Sequence, residues 1–385
     1  MMTDTFPISH DVLEWIKRTI NLSSLPALQQ HQFHQWIEQK VQPTYDDLET
    51  FSKKAKIPFG YLFMSNPPIE EIPLIQQRTN EKNKTGLPGR DFVDIYYQMK
   101  SIQDWMIDYL EFEGAEDLRL PGRLPLNADI HSITSSMRSL LELPDDFLIE
   151  MDDSVYELLK QRIRNLGVLV IQSSMANGDP ERLLNPEEFR GFALFDQKAP
   201  LIFINSRDIL AGQIFTLLHE FLYVLTGTDD LFVDENCEDG VQTEMEQIFC
   251  AAVAELMIPS SLFREQWRLD SHETTKARIA SLTRTFHEHE TLVTRQALAS
   301  GLIDTDQYQE IKDQFGKTIS NTIPGENDPS ERMTLQLDPV FLLALADSVA
   351  MGKTTYTEAF RLTNTTAQTF DQICSEALEA ISTQL

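Results

Sequence analysis

Residues 215 to 227 read FTLLHEFLYVLTG. His219 and Glu220 begin the pattern in which two histidines one helical turn apart bind zinc and the intervening glutamate activates the attacking water. Four residues on, where the second histidine belongs, stands Tyr223. A phenol titrates near pH ~10 and is a poor zinc ligand at neutral pH. Two remaining protein ligands hold zinc weakly, since catalytic sites normally use three. Downstream, EQIFCAAVAELMIP reads as a helix with Glu246 on the face shared by Cys250 and Val253. A carboxylate from a second helix completes sites of this kind. Glu244 is a weaker ligand candidate, about 200° around the helix from Glu246. The Cys250 thiol can bind zinc or pack as a small hydrophobe. Taken alone, an HE dipeptide on an apolar helix reads as a core histidine beside a surface acid. Here the helix follows three strands and precedes the glutamate-bearing helix, and that context favours a site.

The elements that must position these residues are legible from periodicity. VLVIQ, FRGFALFD and PLIFIN, between residues 168 and 205, are short runs rich in Val, Ile and Phe separated by turn residues. They predict a small sheet feeding the helix Ile209 to Thr226. Helices are expected at about 128–142 and 144–165, the second ending at Gly167, and at Thr243 to Met257, closed by Pro259. Two more are expected within 272–303. Arg90 to Phe112 places apolar residues at i, i+3, i+4 and i+7 and predicts one long amphipathic helix. Residues 9 to 57 predict short helices joined by tight turns, with IPFGYLFMSNPP leaving that bundle. GKTISNTIPGENDPSER reads as a linker, and three short helices finish the chain from Pro339.

Composition bounds the partners. The chain has 385 residues and a formal charge of −28, with pI near 4.6. As a whole it repels polyanions. The acidity is uneven: residues 1 to 80 carry −2 and residues 151 to 315 carry −14. Between Thr228 and Glu246 lie eight acids and no base: Asp229, Asp230, Asp234, Glu235, Glu238, Asp239, Glu244 and Glu246. That run is either a solvated loop or an electronegative lip that steers a basic partner. Cys237, Cys250 and Cys374 are too few for a disulfide framework, and reduced thiols are expected. The N-terminus carries acids where a signal peptide needs bases, and the longest apolar run, Val340 to Ala346, is far too short for a span. A cytoplasmic protein with no membrane segment is expected. His287 and His289, at i and i+2 around Glu288, point to different helix faces. GKT at Gly316 and Gly352 lacks the earlier P-loop glycine.

Three segments in order resemble the ImmA/IrrE family of zinc metallo-endopeptidases: RGFALFDQKAPLIFIN, IFTLLHEFLYVLTG, and the ExxxCxxxAELMIP helix. The family hallmark is a strand pair, an LxHExxHxLxG helix and an ExxxNxxxAxxLMP helix. The resemblance implies His219 as first metal ligand, Glu220 as general base and Glu246 as third ligand, with Tyr223 at the second histidine position and Cys250 at the usual Asn. The N-terminal segment, with Trp36 and the LETFSKKAKIPFGYLFMSNPP stretch, resembles the Xre-type helix-turn-helix often fused to such domains. Its recognition-helix candidate, HQFHQWIEQK, offers His31, His34, Gln35, Gln39 and Lys40, few of them cationic. GKTTYTEAFRLTNTTAQTF resembles the closing segment of the same long architecture.

These readings predict an α+β protein. Residues 1–66 form a helix-turn-helix-like bundle and 67–150 a helical linker region. Residues 151–315 form a zincin-like domain with a small sheet and a HExxH-type helix, and 316–385 a helical C-terminal region. The expected function is a regulatory protein with a degenerate zinc site that binds a basic protein, a toxin or a repressor, as an antitoxin or a prophage or stress regulator. The alternatives are a working zinc endopeptidase acting on a repressor-type protein and a DNA-binding regulator of Xre type.

Overall fold

The computed structural model describes residues 5–20, 22–70, 72, 89–120, 122–125, 128–144, 147, 155–232, 244–270, 274–286, 290–311 and 335–382. The fold is mixed α+β, and the chain divides into two compact units, Met1–Tyr96 and Tyr97–Leu385.

In the first unit, His10–Thr19 (α1), Ala27–Ile37 (α2) and Tyr45–Ala55 (α3) enclose Phe33, Trp36, Leu48 and Phe51. Phe33 stacks on Phe51 at 5.6 Å, and Trp36 meets Phe51 edge-on. Thr44 starts α3 with a capping box: its hydroxyl accepts from the Asp47 N–H, and the Asp47 carboxylate accepts from the Thr44 N–H. Two sequence expectations change here. Ile57 and Leu62 are buried in this core, so IPFGYLF closes the bundle with a short 3₁₀ turn instead of leaving it. The helix carrying His31 and His34 begins at Ala27 and ends at Ile37, because Gln39 takes a left-handed backbone, φ 55°. Gln39 and Lys40 therefore lie beyond it.

Arg90–Phe112 (α4) is the long helix that its periodicity predicts. In the second unit, the Gln103 side chain on α4 donates to the Leu194 and Ala199 carbonyls at 2.9 and 3.0 Å. Ile130–Leu141 (α5) and Val155–Asn165 (α6) lead to a four-stranded sheet. Its strands are Leu169–Ser173 (β1), Gly191–Leu194 (β2), Leu201–Asn205 (β3) and Asp230–Phe232 (β4), in the order β1-β3-β2-β4. β1 runs parallel to β3, and the other pairs are antiparallel.

Leu210–Thr226 (α7) packs on the sheet and is almost wholly buried. Gly191 is what lets it approach. A methyl group there would come within 2.6 Å of both the Phe203 carbonyl oxygen and Thr216 Cγ2 on α7. Gly227 ends α7 in the left-handed conformation, φ 76°, and its N–H and that of Thr228 reach back to the Tyr223 carbonyl. That stop sends the chain directly into β4.

Glu244–Met257 (α8), Ser260–Leu269 (α9), Thr275–Thr285 (α10) and Glu290–Ala299 (α11) follow. The sequence reading missed α9. Pro259 closes one helix and, standing at the N-cap of the next, opens another. The C-terminal helices are Pro339–Ala350 (α12), Tyr356–Thr363 (α13) and Ala367–Ser382 (α14), the three expected. Buried Asp338 ties them to the sheet by accepting from Arg164 Nε and the Val170 N–H, each at 3.0 Å, and from the Val340 N–H. The 316–332 linker lies outside the described residues. Among the described residues no single helix is long and apolar enough to cross a membrane.

Because Gly191 faces both backbone and α7, Gly191→Ala should destabilise the chain by about 1–3 kcal/mol, the usual penalty of overpacking. Urea denaturation checks this, and a loss below about 0.5 kcal/mol would mean that α7 does not depend on the close approach.

Candidate metal centre

His219 and Tyr223 are one turn apart on α7, and both side chains are buried. Their rings lie 5.4 Å apart, and Tyr223 meets Phe249 of α8 edge-on. α8 supplies Glu246 to the same place. Its carboxylate uses its two oxygens differently: Oε1 is 3.1 Å from His219 Nε2, and Oε2 accepts the Tyr223 hydroxyl. The other face of the imidazole is also acidic. Glu220 Oε1 and Asp230 Oδ2 each stand 3.9 Å from His219 Nδ1.

The structure thus brings His219, Glu220, Tyr223 and Glu246 together. Glu244, the weaker ligand candidate, is exposed at the start of α8. His287, Glu288 and His289 lie outside the described residues. Asp230 is the member that the sequence reading treated only as part of an acidic run. β4 pairs with β2, placing Asp230 opposite Ala193 and its carboxylate beside His219. Asp229 accepts from the Phe195 N–H, and burial raises its pKa. Neither acid is part of a solvated loop, while Asp234, Glu235, Glu238 and Asp239 lie outside the described residues.

Electrostatics follow from this crowding. Burial opposes charge on the imidazole, but Glu246, a hydrogen bond with Glu220 and the charge of Asp230 outweigh it and push His219 up to about 10. Burial first, then the charges of Asp230 and Glu246, push the Tyr223 phenol far above its ordinary value. Tyr223 is therefore a neutral donor, and His219 an imidazolium held between carboxylates.

Cys250 follows Glu246 by one turn of α8 and is fully buried. It is disulfide-bonded, while Cys374 is free. The expectation of reduced thiols throughout is corrected by this bridge, which sequence spacing alone does not reveal. The candidate ligand sets are His219–Glu246–Cys250 and His219–Glu220–Asp230, each with ligand atoms within 4.8 Å of one another. A disulfide sulfur offers no thiolate and the Tyr223 phenol stays protonated, so the bridged chain loses the first set, while the second, His219–Glu220–Asp230, uses neither residue.

Residues 163–290 match the IrrE N-terminal-like domain. The match runs from the end of α6 through the sheet, α7 and α8, so it covers every residue of this cluster, and it supports the resemblance to ImmA/IrrE proteins. Residues 337–376, which include α12 and α13, match a domain of unknown function, DUF8813. No curated protein matches the chain.

The imidazolium makes a prediction for the chain kept in chelator. His219 has a folded value of about 10 above its ordinary 6.5. Its contribution to stability is therefore complete below pH 6.5 and lost as pH rises through about 10. NMR of the imidazole ring should find His219 still protonated at pH ~8. A midpoint at or below its ordinary value would contradict the ion pair.

Proposed function

We propose that this chain is a regulatory protein that uses an IrrE-like peptidase scaffold to bind a protein partner, in the manner of an antitoxin or a prophage or stress regulator. One observation carries the reading. At the position where the motif requires a second metal ligand, Tyr223 donates its hydroxyl to Glu246, the carboxylate that would serve as the third. Both oxygens of that carboxylate are thereby engaged within the protein, one by the phenol and one by the imidazole.

The partner surface is basic on this reading. The segment around the site carries −14, and acids dominate the stretch after α7. Charge of one sign on one segment favours association with a complementary protein such as a small toxin or a basic repressor. DNA binding through the first unit finds less support. Lys17, Lys40, Lys53 and Lys56 all pair with carboxylates, at 4.0, 2.6, 2.8 and 2.5 Å. Among the described residues of this unit, few cations are left to meet phosphates.

Metal analysis and co-purification test the reading together. The chain purified without reductant or chelator should hold less than about 0.1 equivalent of zinc, and Tyr223→His should raise that figure. The same untagged chain, at native abundance, should emerge with a basic protein that dissociates as salt rises. A full equivalent of zinc would restore the peptidase reading, and a chain that emerges alone would remove the partner.

A further inference from the structure

Glu246 presents its two oxygens to different neighbours. Oε2 receives the Tyr223 hydroxyl, whereas Oε1 lies 3.1 Å from His219 Nε2 and 4.0 Å from Cys250 Sγ. Tyr223 thereby turns Oε1 toward the imidazole and the sulfur. Those three atoms are a soft, an imidazole and a carboxylate donor, a combination suited to zinc. Metal–ligand bonds of about 2.0–2.3 Å place tetrahedral ligand atoms roughly 3.5 Å apart, and the spacings here fall around that figure. One chemical fact separates the cluster from a complete set: the Cys250 sulfur is in a disulfide.

We propose that thiol–disulfide exchange switches this cluster into a metal site, with His219, Glu246 and Cys250 binding zinc when the Cys250 bridge is reduced. On this account Cys250, not residue 223, replaces the missing histidine. Tyr223 becomes a positioning residue that fixes the Glu246 carboxylate. The exchange balances with a dithiol as co-reactant: the dithiol gives two electrons and two protons, becomes a disulfide, and leaves two thiols on the chain. Zinc binding then releases the Cys250 thiol proton and the proton on His219 to solvent. The inference goes beyond the partner-binding reading and does not depend on it, because metal uptake is measured with no partner present.

Cobalt(II) tests the switch, since a thiolate ligand gives a sulfur-to-cobalt charge-transfer band that nitrogen and oxygen ligands do not. The full chain is prepared oxidised, or reduced with a phosphine and desalted without oxygen, and then titrated with Co²⁺. The reduced chain should bind about one equivalent with the band, and the oxidised chain should bind at least about tenfold more weakly without it. Cys374→Ser, which removes the free cysteine, should leave that contrast intact, and reduced Cys250→Ser should lose the band. Cys237 lies outside the described residues. With Cys374 free, it is the one other cysteine in the sequence, so Cys237→Ser should show the band with no reductant, and it decides the matter even where Cys250→Ser fails to fold. A reduced chain without the band, a band that survives Cys250→Ser, or equal binding by both redox forms would overturn the proposal. Tyr223→Phe adds a separate readout: affinity should fall while the band stays, whereas a tyrosine of purely structural importance would leave affinity unchanged.

Discussion

A single carboxylate, Glu246, is shared between an imidazolium on one oxygen and a phenol on the other, and the arrangement of α7 and α8 depends on it. Charges this far from water persist only when they are paired and hydrogen-bonded. His219 has no exposed surface, and the Glu246 side chain is 14% exposed. Removing His219 takes away the cation beside Glu246, and removing Glu246 leaves the imidazolium only the more distant Glu220 and Asp230, each at 3.9 Å. The pair also constrains Tyr223, whose hydroxyl would otherwise need another acceptor within an aromatic surround of His219 and Phe249.

The frame around the pair is built from local rules acting together. Gly191 admits α7 to the sheet, and Gly227 stops α7 with a left-handed turn that delivers Asp230 to the sheet edge. Asp230 then adds a second carboxylate to the imidazole face that Glu246 does not occupy. The concentration of acid in residues 151 to 315 has two physical roles. Near His219 it sustains a buried cation, and elsewhere on the segment it sets a negative field. The Cys250 bridge belongs to the same picture, because it determines whether the third donor near Glu246 is a thiolate or an inert sulfur.

Strong periodicity made much of this visible in advance. The apolar stripe of Arg90–Phe112 marks α4, Val- and Phe-rich runs mark β1 to β3, and the segments after Pro339 mark the last three helices. The proximity of His219, Tyr223 and Glu246 follows from two helices whose facing residues have the right spacing. What escaped the sequence has physical causes. β4 is three residues long and lies in an acidic run, so its identity comes from pairing with β2, a distant segment in the chain. Pro259 serves two helices at once, which concealed α9. Asp230 meets His219 only through that strand pairing, and a disulfide leaves no local pattern. The difference in use of the two Glu246 oxygens is a property of packing alone.

The shared carboxylate is tested most directly by a double-mutant cycle in the chelated chain with Tyr223→Phe and Glu246→Gln, using denaturant-unfolding free energies. The account predicts a coupling of about 1–3 kcal/mol between the two positions, the range for a hydrogen bond to a charged group in a mostly buried setting. Additivity within about 0.5 kcal/mol would contradict it.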